Sequence, residues 1–175
     1  MKRLDRNTVR QGLKDWQAVG LHVDSRLMQE IEVGELYRLW LEDEVSFLSL
    51  IWLEDNPARL LTPSGKPRTL RDIVDRFLES KFTFHSLSRN RGLTREEHHP
   101  EFFDICVEID KEFDFKKFGF VTIVAANDKE RGQSPHGTFY VFDGLHKTLV
   151  LAKRLRTGEA KYQPVEALYL VPRRE

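Results

Sequence analysis

The sequence predicts an α/β (α+β) fold: a small mixed sheet with helices, preceded by a largely helical N-terminal part. Three observations predict it. Residues 118–125 and 138–142 are apolar and aromatic runs of strand-favouring types. Residues 164–171 are a third run of that kind near the C-terminus. Between the last two runs the period changes, because Leu145, Leu149 and Ala152 fall at i, i+4 and i+7 while Leu151 and Leu155 widen the stripe. That pattern predicts a helix over 145–156 with its apolar side on the sheet.

The earlier elements follow from the same rules. Residues 5–19 read as a helix with Val9, Leu13 and Trp16 on one side, stopped at Gly20. Ile31, Glu32 and Val33 read as a short strand. A helical pattern then begins near Glu35, with Leu39, Val45, Leu48 and Trp52 as its buried side, and Asn56 and Pro57 end it. Leu60 to Thr62 read as extended, before the turn residues of 63–66. Thr69 is placed to cap a helix over 70–81 that buries Ile73, Val74, Phe77 and Leu78. Residues 82–92 are the least structured by composition. Thr94 to Glu97 fit a capping box, with a helix running on towards Phe113 and Pro100 breaking or restarting it. Residues 127–137 read as a polar loop.

Composition bounds the function. The 175 residues carry 28 basic and 28 acidic side chains, so no overall field favours nucleic acid or membrane. An acidic stretch, 29–55, is followed by a basic one, 59–95; the two complement each other on one surface or form a polyanion-binding face. One cysteine, Cys106, excludes an intramolecular disulfide. No apolar run reaches membrane-spanning length and the first residues lack a signal's apolar core, so a cytoplasmic location is expected. A single domain, 1–175, is expected, with 1–117 mostly helical and 118–175 the core that carries the chemistry.

The candidate chemistry lies where strand becomes helix, at Asp143, Gly144, Leu145, His146, Lys147 and Thr148. A helix N-terminus presents backbone N–H groups and partial positive charge, which suits an anion. Lys147 adds a full charge, and His146 and Thr148 add side-chain hydrogen bonds. Lys147 is expected to be exposed, since Leu145 and Leu149 take the apolar side. The competing reading is an ordinary structural turn. The spacing is not that of a Walker A loop, which needs an earlier glycine and four-residue spacer.

The run Asp143, Gly144, Leu145, His146, Lys147 resembles the Asp-Gly-x-His-Arg signature of the ParB/sulfiredoxin-like superfamily, and the flanking strands agree. The resemblance covers residue 118 to the C-terminus well and the rest loosely. It implies a site that cradles nucleotide phosphates: ATP or another NTP, with Mg2+. It includes stand-alone members such as plasmid transfer (fertility) inhibitors and free-serine-kinase-like proteins. It implies hydrolysis of the nucleotide, phosphotransfer, or nuclease activity, in a plasmid- or phage-related inhibitory setting. By the same resemblance, an acidic residue on an early helix acts as base or metal ligand. Glu44 is the first choice here and Glu42 the second, with Asp143 and His146 completing the catalytic set; the metal ligands are not identified. A solvated acidic face is the alternative.

Three departures narrow the resemblance. Sulfiredoxins carry cysteine before the motif histidine, and Leu145 stands there, so sulfinic acid reduction is excluded. The sequence stops at Glu175, and the helix-turn-helix of partition proteins is expected to be missing. Lys147 replaces the usual arginine, keeping charge but losing the bidentate fork. Residues 56–114 are longer than compact members of that superfamily need and look like a family-specific insertion. The expected partner is a nucleotide, with DNA or a protein as further partners and no membrane. The rival function is a non-catalytic protein-interaction module whose junction is structural or a nucleotide switch.

Overall fold

The computed structural model describes residues 2–3, 35–52, 59–61, 68–90, 99–125 and 139–171. The expectations for 5–19, 31–33, 56–57, 63–66, 94–97 and 127–137 lie outside these residues. The strands are β1 (Lys2–Arg3), β2 (Glu35–Leu41), β3 (Ile51–Trp52), β4 (Arg68–Thr69), β5 (Phe120–Ala125), β6 (Phe139–Asp143) and β7 (Val165–Val171). The helices are α1 (Glu44–Leu48), α2 (Leu70–Glu79), α3 (Phe84–Arg89), α4 (Pro100–Lys111) and α5 (Leu145–Arg156). Single 3-10 turns occupy Arg59–Leu61 and Phe115–Lys117.

The α/β class is as expected, in a mixed seven-stranded sheet of order β1-β2-β7-β5-β6-β3-β4. Neighbouring β7 and β5 are parallel, as are β6 and β3, and the remaining pairs are antiparallel. The three strands expected from residue 118 onward are present, and α5 matches its expected bounds. Leu149 and Ala152 are fully buried, as the apolar stripe requires.

The N-terminal part differs from expectation. Residues 35–52 are not one helical stretch: they form β2, the five-residue α1, and β3. The reason is visible in β2, where Leu36 is buried on one face while Leu39 and Leu41 pack against the helices on the other. A strand apolar on both faces loses the clean alternation that marks a half-buried one, and leucines at i and i+3 imitate a helix. Leu60 and Leu61 sit in a 3-10 turn rather than extended chain.

Residues 82–90 are ordered rather than irregular. α2 ends in a Schellman motif: Phe82 N–H donates to Phe77 O at 3.1 Å and Lys81 N–H to Leu78 O at 2.9 Å, with Lys81 at φ 55°. Phe82 and Phe77 then pack edge to face, at 6.3 Å. Thr83 immediately caps α3 through a reciprocal bond set with Ser86. α4 begins at Pro100, in the first-turn position that tolerates its missing N–H, and stops at Lys111.

The helices α2, α4 and α5 form the layer over one sheet face. Their buried residues, among them Ile73, Phe77, Phe103, Leu149 and Leu151, join Trp52, Val121, Ile123, Val141 and Ala167 from the sheet in one core. The described residues of the 56–114 segment therefore supply a wall of the core. The last turn of α5 is tied to both neighbours. Arg154 Nε donates to Asp110 of α4 at 2.6 Å, and Arg156 Nε to Asp75 of α2 at 2.7 Å. These cations also suit the negative end of the helix.

Candidate functional site

The junction of β6 and α5 has the form the sequence predicts. The register of β5 against β6 shifts between Thr122 and Ile123, so that Thr122 pairs with Asp143 and Ile123 with Val141, leaving Phe142 as an extra residue. Such a bulge strengthens local twist and turns the strand end. Gly144 follows at φ 97°, ψ 24°, a left-handed conformation that other residues adopt only under strain, and it stands in the N-cap position of α5. It has no side chain with which to cap the helix. Twelve residues of helix, about 18 Å of aligned peptide dipoles, point their positive end here.

The side chains of the motif are arranged differently from the sequence expectation. Lys147 is not exposed. Its residue is half-buried and its amine is enclosed, donating to Phe118 O at 3.1 Å and to Phe120 O, with the Phe118 ring centred 5.3 Å away. The stem folds over Gly144, so that a Cβ there would lie 2.8 Å from Lys147 Cε. The correction has a physical cause. A four-carbon stem crosses the open space a glycine leaves, and two carbonyls, one just before β5 and one at its first residue, replace the water its charge would otherwise need. Burial pulls the amine's pKa down to about 8, while Asp143 acts in the opposite direction.

Thr148 is fully buried. Its N–H bonds to Gly144 O at 3.0 Å and its hydroxyl to Leu145 O at 2.9 Å, so both groups are committed within α5. Leu145 is half-buried against the core. His146 stacks on Phe102 of α4, with centroids 4.2 Å apart and planes 25° from parallel. Phe102 in turn meets Trp52 edge-on at 5.9 Å. The histidine is thus part of an aromatic row joining β3, α4 and α5. Cys106 is buried below it, which pushes its thiol pKa up through desolvation, and Asp110 adds to that.

The acidic residues sit at the same end of the sheet but elsewhere along it. Leu41, the last residue of β2, pairs with Val165, while Asp143 ends β6. Three strand spacings separate β2 from β6, about 14 Å. Glu42 and Asp43 are exposed and Glu44 is half-buried. Asp43 caps α1, accepting from Ser46 N at 2.8 Å and Ser46 Oγ at 2.9 Å, and those bonds hold its carboxyl below the usual range. Nearby Tyr162 donates its hydroxyl to Leu41 O at 2.6 Å. Burial raises that phenol's pKa, and the carboxylates of Asp43, Glu42 and Glu44 raise it further. Among the described residues, no three His, Cys, Asp or Glu side chains are grouped to hold a metal ion. No described helix is long and apolar enough to cross a membrane.

Sequence reasoning placed the junction itself. It missed Phe118 and Phe120, which act through backbone carbonyls and so leave no mark in side-chain type, and Phe102, whose contact with His146 joins residues 44 apart in the chain. No family model, no curated protein and no solved structure matches this chain.

Proposed function

We propose that the β6–α5 junction binds the phosphates of a nucleoside triphosphate, and that the chain is a nucleotide-binding protein of the ParB/sulfiredoxin-like type. The observation that supports this reading is the start of α5. A long helix opens at a left-handed glycine with no capping side chain, at the end of a strand, which is the geometry that suits an anion. Asp143 is the carboxylate of the junction. It would be the protein ligand of a magnesium ion carried in with the nucleotide, since that ion typically takes one or two carboxylates besides phosphate oxygens. The reading extends to hydrolysis of that nucleotide, transfer of its phosphoryl group or cleavage of nucleic acid, in a plasmid- or phage-related role.

One observation favours a second reading, the non-catalytic interaction module. The Lys147 amine already has partners on Phe118 and Phe120, so its charge serves the fold. Calorimetric titration with ATP, CTP and GTP in magnesium separates the two. The nucleotide reading expects wild type to bind a triphosphate and Lys147→Gln to bind it about tenfold more weakly, about 1.4 kcal/mol. Absence of binding by wild type leaves the junction structural and the second reading in place, whereas equal binding by both proteins takes Lys147 out of the site. A phosphate-release assay on the bound nucleotide then distinguishes turnover from a switch.

A further inference from the structure

We draw no further inference here: the strongest candidate, the sheet face opposite the helices, where Leu36, Val124, Leu168 and Leu170 are buried beside half-buried Phe120, Tyr140 and Phe142, carries nothing because nothing in the structure shows what covers it.

Discussion

The first turns of α2 and α5 solve the same electrostatic problem in opposite ways. At α2, Thr69 accepts from Asp72 N at 3.2 Å while the Asp72 carboxylate accepts from Thr69 N at 3.0 Å and from its hydroxyl at 2.8 Å. The negative charge the helix start favours is built in. At α5, Gly144 supplies no side chain, and the nearby cation, Lys147, is drawn back onto the carbonyls of Phe118 and Phe120. One terminus is completed by its own residues and exists for stability. The other trades a side-chain cap for a sharp change of direction, and its strength depends on glycine and on an internal lysine.

That contrast makes substitutions at α5 costlier than at α2. Gly144→Ala should have the largest effect, about 2–3 kcal/mol of lost stability in urea unfolding, because a Cβ meets both backbone strain and the Lys147 stem. If it costs no more than the loss of the Thr69 cap, the two termini are equivalent and the comparison fails.

Lys147→Met comes next, with about 1–2 kcal/mol expected at pH 7 from two carbonyls left without their charged donor, against about 0.5 kcal/mol for a surface lysine. Its pH dependence sharpens the case. The native amine loses its proton near pH 8, whereas in the unfolded chain it does so near 10.4. Between those values the unfolded state holds a proton the native state lacks. Stability of wild type relative to Lys147→Met should therefore rise with pH across that window, at no more than about 1.4 kcal/mol per unit. A flat difference from pH 7 to 10 would show the amine to be solvated.

Thr69→Ala should cost about 1 kcal/mol, the usual value of an N-cap, measured by the same unfolding midpoints. The smallest effect belongs to Glu42→Gln. The side chain is exposed, so stability should stay within about 0.5 kcal/mol, and triphosphate affinity should be unchanged because Glu42 follows β2, three strands from the junction. A loss of affinity in that variant would bring the acidic segment back into the site.

Legibility in the sequence follows the physics of each region. From residue 120 to 171, strand types, a left-handed glycine and an unambiguous helical stripe agree with one another, and the elements lie within about two residues of expectation. In β2 the two faces are both partly apolar, so Leu36 and Leu39 offer a helical spacing that only strand pairing overrules. At 82–90 the signal was misleading for another reason. Lys81 takes the left-handed position that glycine usually marks, and α2 and α3 then follow each other without a visible break. In the site, the backbone turn is written in Asp143 and Gly144. A helical projection shows which side of α5 is apolar, but not that the Lys147 stem will bend across a neighbouring glycine.

The strand order has a consequence for how the chain is made. Strands β1 to β4 come first in sequence yet occupy the two outer positions on each side of the sheet, while β5, β6 and β7 fill the centre. During synthesis the outer strands emerge before the inner ones they must pair with. β2 waits for β7, which bonds to it along its whole length, and the Arg38–Glu166 pair spans 128 residues. Such distant pairing must overcome loop-closure entropy before any contact compensates it, which slows folding. Until β7 leaves the ribosome, β2 lacks the strand that will pair with it, so its unpaired edge and apolar face are open to aggregation for as long as the intervening chain takes to be made.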